Sequence, residues 1–282
     1  MGKGTGVALL ALPSTLGIVL FALLPVCVVL WLSLTQWDLL GVPEFVGLQN
    51  YTTMFGSEVF WGSLVATSVL LCVVVPAELI LALLIAVPLS RKFRGATLIR
   101  SILVVPWVAA PIAIGVIWSW IVAPDGGLVS QLVGSRIDWI NDPSGAVAIV
   151  AIAIVWTNVG YLSLFFIAGL NTIPQEIGEA AMLDGAGSAR RFVSVTLPLM
   201  RPTVYFVAVI AVAQQASAFD QIWALTGGGP SGATDVVAIK IFANAFQTFD
   251  LGGASALSLV LLLALFVLTL LLARRVGASH GH

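Results

Sequence analysis

Asn158, Tyr161, Gln214, Gln215, Ser217, Asp220 and Gln221 interrupt two stretches, 145–170 and 202–225, that are otherwise largely apolar. Amides, hydroxyls and one carboxylate in such company are costly to bury without partners, so they point to a lined path or to bonds between helices. Gln214, Ser217 and Gln221 recur at i, i+3 and i+7, which places them on one face of a continuous helix. Asn158 and Tyr161 are three apart in the same sense. Uncharged donors and acceptors with aromatic neighbours suit a neutral, hydroxyl-rich solute. No lysine or arginine falls within these stretches, so a strongly anionic solute would find no charge partner there. Two readings, pathway lining and helix-to-helix bonding, stay open for each residue. Glu78, two residues after Pro76, is the deepest charge, and reads equally as a protonated packing group or a pathway group.

Other chemistries find no support. The phosphate-cradling pattern of Gly, four residues, then Gly-Lys-Ser/Thr is missing. Gly227-Gly228-Gly229-Pro230 lacks the lysine and reads as a turn. Gly277-Ala278-Ser279-His280-Gly281 matches a nucleophile-elbow string, but no strand precedes it and no helix follows. His280 and His282 read as a frayed tail rather than a metal site. Cys27 and Cys72 sit in separate apolar runs and read as small core residues. There is no basic block for nucleic acid. Intramembrane charges are too few for an ion-coupled carrier, and no histidine or clustered carboxylate suggests an embedded enzyme.

The segment 172–202 is more organised than a connector. Thr172 and Gln175 have capping-box spacing, with Pro174 in the first turn of a short helix. Glu176 and Glu179 lie near its positive end, and Gly185 is placed to end it in the left-handed conformation. A second helix would carry Phe192, Val195 and Leu199 on one face before Pro198 and Pro202. Ala180 and Ala181 give the first helix a narrow surface that a partner's cleft could approach. A helix lying on a membrane surface is the plainer alternative.

The elements that position these residues follow from composition. Of 282 residues, 60% are hydrophobic and only 9% charged, with a mean hydropathy of +1.09. A water-facing surface cannot be covered with so few charges, so the solvent is lipid. Six apolar segments are long enough to span it: 7–34, 61–89, 101–122, 145–170, 202–225 and 254–273. The first is too long for a cleaved signal. The expected fold is an all-α membrane protein in one transmembrane domain, 1–282, with six transmembrane helices. Prolines 13, 25, 76, 106 and 111 fall inside spans, where neighbouring helices can satisfy the freed carbonyls. With the N-terminus inside, ten of the twelve basic residues fall on the cytoplasmic side: Lys3, Arg91, Lys92, Arg94, Arg100, Arg190, Arg191, Arg201, Arg274 and Arg275. Only Arg136 and Lys240 fall outside. Trp31, Trp37, Trp61, Trp118, Trp120, Trp139 and Trp223 gather near the expected outer boundaries.

Glu179, Ala180, Ala181, Gly185, Val195, Leu197 and Pro198 have the spacing of the EAA loop of ABC-importer permeases, with Val195 where isoleucine is usual. Asp184, Gly185, Ala186 and Phe192 resemble the carbohydrate-uptake branch. Gly47-Leu48-Gln49-Asn50-Tyr51, Phe93-Arg94-Gly95 and Leu225-Thr226-Gly227-Gly228-Gly229-Pro230 extend the likeness to maltose-type and glycerol-phosphate-type permeases. The resemblance implies a type I ABC importer permease fold in a prokaryotic inner (plasma) membrane, multi-pass, both termini cytoplasmic. It implies that 172–202 docks on a separate ABC ATPase dimer, with Glu179 as the polar contact and Gly185 as the bend. ATP and magnesium would be held by that partner, with no cofactor on this chain. A second homologous permease and an extracytoplasmic solute-binding protein complete the expected assembly. The expected cargo is a sugar-like solute. Glycerol 3-phosphate, a glycerophosphodiester or an amino sugar is the alternative.

Overall fold

The computed structural model describes residues 12–91 and 93–277. Lys3, Lys92, Ser279, His280 and His282 lie outside the described residues. In chain order it contains α1 (Leu12–Leu32), a short antiparallel hairpin of β1 (Thr35–Gln36) and β2 (Glu44–Phe45), α2 (Gln49–Phe55), α3 (Glu58–Leu89), α4 (Ala96–Val108) and α5 (Pro111–Ile121). Then come α6 (Leu128–Val133), α7 (Pro143–Asn171), α8 (Gln175–Leu183), α9 (Ser188–Leu199), α10 (Arg201–Ala216), α11 (Asp220–Thr226), α12 (Val237–Phe246) and α13 (Leu251–Gly277).

The chain is mostly helical, as expected, and its spans are apolar enough for a bilayer. Helices α1, α3, α7 and α13 are each long enough to cross, and two bent pairs bring the number to six by length and composition. Exposed leucines, valines and phenylalanines cover these helices, a surface that only lipid or apolar partners accommodate. Cys27 and Cys72 belong to that surface: both are exposed, which corrects their reading as core residues.

Two expected spans are not single helices. The segment 101–122 is broken between α4 and α5, whose axes differ by 93°. Pro111 begins α5 and Ala110 before it is extended, because the proline ring disfavours helical geometry in the preceding residue. Pro106, by contrast, stays inside α4. The segment 202–225 divides into α10 and α11 at 217–219, so Gln214, Ser217 and Gln221 are not on one continuous helix. A second sharp bend, 70°, separates α9 from α10.

Contacts gather into two compact units: 1–61 with 239–263, and 62–238 with 264–282. In the first, Asn50 Nδ2 donates to the carbonyls of Ser33 and Thr35, both at 2.8 Å, tying α2 to the chain around β1. Tyr51 adds a bond to the Ser33 hydroxyl at 2.8 Å.

In the second unit α7 is the central element, more deeply buried than the other long spans. Leu162, Phe166 and Ile167 pack with Val75, Ala82, Ala86, Met200, Val207 and Ala211. At Gly160 a Cβ would fall 1.8 Å from the Leu103 carbonyl oxygen, so α4 and α7 cross at a distance only glycine permits. Thr67 Oγ1 accepts from the Val237 N–H at 3.0 Å and donates to Ser63 at 2.8 Å. Asp142 caps α7, its Oδ2 accepting from the Gly145 N–H at 2.7 Å.

Candidate functional site

The two breaks in expected spans make a cavity in the second unit. The α4–α5 bend contributes Trp107 and Pro111, and α7 contributes Ile154, Thr157 and Asn158. Gln214 and Gln215 end α10, Ser217, Ala218 and Phe219 form the break, and Asp220 and Gln221 open α11. They enclose about 250 Å³. Gln214, Ser217 and Gln221 therefore meet after all, through a helix break rather than along one face.

The wall is rich in polar atoms with spare capacity. Gln221 Nε2 donates to Thr157 Oγ1 at 3.3 Å, while that hydroxyl donates to the Ala153 carbonyl at 2.8 Å. Gln214 Oε1 and both amide atoms of Gln215 are buried and find no hydrogen-bond partner among the described residues. Unmet amides in an apolar surround cost free energy that a polar guest or water would relieve. Gln215 is more deeply buried than its neighbour. It lies off the 214/217/221 face, so spacing alone did not select it. Thr157 and Trp107 gave no sequence signal beyond their residue type.

Asn158 lines the cavity and donates through Nδ2 to Glu78 Oε1 at 2.8 Å. Glu78 itself is buried and stands outside the lining. Tyr161 is also outside it. Its ring stacks on Trp107 at 4.0 Å and 3°, then meets Phe165 edge-on at 5.1 Å, and Phe165 meets Phe206 at 5.6 Å. Asp220 lines the rim and is exposed.

A larger cavity, about 370 Å³, lies in the first unit and includes Asn50, Asn244, Lys240 and Asp250 in its wall. Asn50 has both N–H groups engaged by main-chain carbonyls. Its chemistry is therefore committed to holding that unit together.

The segment 172–202 forms two helices, α8 and α9, with an exposed surface. Glu179, Ala180, Asp184 and Gly185 are exposed, and Ala181 and Ala186 are half-buried. Leu183 is 89% exposed, a leucine that nothing among the described residues covers. Gly185 takes φ +76°, and its N–H bonds the Met182 carbonyl while Ala186 N–H bonds that of Ala181, both at 3.0 Å. This is the paired ending that needs a left-handed residue.

The start of α8 differs from expectation. Thr172 bonds back to the Gly169 carbonyl at 2.8 Å instead of capping forward, and Pro174 precedes the helix instead of sitting in its first turn. In α9 a π-helical turn, Phe192–Thr196, interrupts the α pattern, so Phe192, Val195 and Leu199 do not repeat at α spacing. Phe192, Leu197 and Pro198 are half-buried.

The Ser144 hydroxyl, and then the Gly145 N–H, hold Asp142 below the usual aspartate range.

The chain is similar over most of its length to transport proteins. It is 34% identical over 258 residues to the trehalose/maltose transport system permease protein of Thermococcus litoralis, covering 89% of this chain and 87% of the relative. The sn-glycerol-3-phosphate transport system permease protein of Yersinia enterocolitica is 33% identical over 268 residues, 93% of this chain and 91% of that one. The sulfoquinovosyl glycerol transport system permease protein of Agrobacterium fabrum is 32% identical, with 90% and 84% covered. In fold, it superposes on a chain from a bacterial ABC transporter involved in alginate import. The TM-score is 0.83 at 18% identity, covering 96% of this chain and 95% of that one. The model of the binding-protein-dependent transport system inner membrane component matches residues 78–278, and the chain belongs to that family as the permease subunit of an importer.

Proposed function

We propose that this permease carries a sugar or sugar-like solute through the cavity at Asn158, Gln214, Gln215, Ser217 and Gln221, driven by a separate ATPase that docks on α8. The observation that carries the solute class is the set of buried, unpartnered amide atoms of Gln214 and Gln215 on a wall that combines amides and hydroxyls with aromatic and aliphatic groups and has no cationic side chain. Neutral donors and acceptors match hydroxyl groups, and relatives that transport trehalose, maltose, glycerol 3-phosphate and sulfoquinovosyl glycerol support the class. The glycerol-phosphate relatives keep a phosphorylated polyol as the second reading. Glu179 and Ala180 support the coupling role by their exposure beside the half-buried Ala181, with Asp184, Gly185 and Ala186 setting the bend and Phe192, Leu197 and Pro198 leading into α10.

The proposed assembly adds a second homologous permease, an ABC ATPase dimer holding ATP and magnesium, and an extracytoplasmic binding protein. A related fold occurs in an alginate importer complexed with its periplasmic protein. The proposed setting is the inner membrane with both termini cytoplasmic, the arrangement favoured by the ten-to-two division of basic residues.

Reconstitution tests the proposal. Proteoliposomes holding this chain, its partner permease and the ATPase should accumulate labelled maltose or trehalose only with internal ATP and external binding protein. Gradient-driven uptake by this chain alone would instead establish a self-sufficient carrier.

A further inference from the structure

Glu78 is 1% exposed on α3 and contributes nothing to the cavity wall. It makes one side-chain bond, accepting from Asn158 Nδ2 at 2.8 Å, while its Oε2 has no partner among the described residues. An apolar side chain of the same volume would fill this place without the desolvation cost of a carboxyl group. What Glu78 adds is therefore the bond itself. Asn158, at the other end of that bond, does stand on the cavity wall.

A side-chain amide carries its acceptor and its two donors on opposite branches, and a half-turn exchanges them. An acceptor at Glu78 Oε1 fixes the nitrogen branch toward α3. It leaves the Asn158 carbonyl and its second N–H for the cavity. We infer that Glu78 is a positioning residue that locks the Asn158 amide in one orientation, so that the cavity presents a fixed acceptor to solute hydroxyl groups and discriminates against analogues lacking one. The inference rests on the cavity being the solute path. Sites built to bond a hydroxyl reject the deoxy analogue because a buried polar group is then left unpaired.

The assembled importer, with its ATPase, second permease and binding protein, is tested in proteoliposomes with labelled maltose, trehalose and sn-glycerol 3-phosphate. Uptake of whichever is transported is compared with uptake of its monodeoxy analogue. Glu78→Met should lower uptake about tenfold and erase most of the preference over the analogue, since it removes a hydrogen bond to an amide in the path. Glu78→Gln, which keeps an acceptor at the same reach, should stay within about twofold of the parent. Adding Glu78→Met to Asn158→Ala should cost nothing further if Glu78 acts through Asn158.

Full uptake with full preference in Glu78→Met, or losses that multiply in the double variant, would overturn the inference while leaving the path intact. An Asn158→Ala variant with unchanged uptake would sink the path reading and this inference with it. Failure of all three solutes to enter through the parent complex would overturn the hydroxyl-solute class on which both stand. Should Glu78→Met not assemble, the swap Glu78→Gln with Asn158→Asp decides, because it keeps the bond but exchanges donor and acceptor. Assembly and the preference should both return, because the second carboxylate oxygen at position 158 still offers the cavity a held acceptor, and an assembled swap without the preference would contradict the inference.

Discussion

Gln215 and Gln221 both sit on the cavity wall but differ in what they hold. Gln215 has no partner for either amide atom among the described residues, whereas Gln221 donates to Thr157. Gln215→Ala therefore removes no bond within the protein. It should lower uptake about tenfold with complex melting shifted by no more than about 2 °C. Gln221→Ala should lower uptake too, but also cost about 1 kcal/mol of stability for the lost bond. Uptake and melting assayed together check both, and parallel loss for Gln215 would mark it as structural. Asn158, Gln214 and Gln221 were legible because amides stand out in apolar sequence. Thr157 was not, since threonine in a membrane helix commonly bonds its own backbone, as this one does to Ala153. Trp107 was hidden because its role depends on stacking with Tyr161.

At the scale of elements, the joint between α8 and α9 invites the sharpest mutation. Gly185→Val puts a β-branched side chain at φ +76°, where left-handed geometry costs about 1–2 kcal/mol or more. Glu179→Arg reverses a charge on the exposed face of α8. Both should leave the subunit inserted while stimulated ATPase activity of the complex falls severalfold, with solute affinity of the binding protein unaltered. Undiminished coupled activity in both would remove α8 from the coupling role. The N-terminus of α7 carries a pH prediction. Because the Asp142 carboxyl is held below its usual value, its capping contribution is complete above the ordinary aspartate range and is lost as pH falls through the lowered value. Protection of the Gly145 amide should decline over that interval, and Asp142→Asn, which retains an accepting oxygen, should flatten the decline. The Gly185 turn was readable because glycine after a helix has few other uses. The α4–α5 bend has its cause in Pro111, yet Pro106 lies inside α4, so proline alone did not say which position would break. The break at 217–219 contains neither proline nor glycine, and hydrophobic periodicity runs straight through it.

For the molecule as a whole, topology is the first requirement. Single cysteines at Ser188 and Ser231, with Cys27 and Cys72 replaced, should react with an impermeant thiol reagent from opposite sides of the membrane. Reaction of both in intact cells would refute the orientation drawn from the basic residues. The spans were legible at this scale because lipid demands long apolar helices. Their breaks were not, because these depend on packing among helices. If the broken helices form the proposed solute path, the α8–α9 segment controls access to it. Ser217 lies in the break and lines the cavity, so one cysteine there reports on both halves. In the assembled complex its labelling should change severalfold between the ATP-free state and the state with ATP and solute-loaded binding protein, and Glu179→Arg should abolish that change. Labelling that is absent in every state, or that responds to ATP equally in the Glu179→Arg complex, would contradict control of that path by the α8–α9 segment.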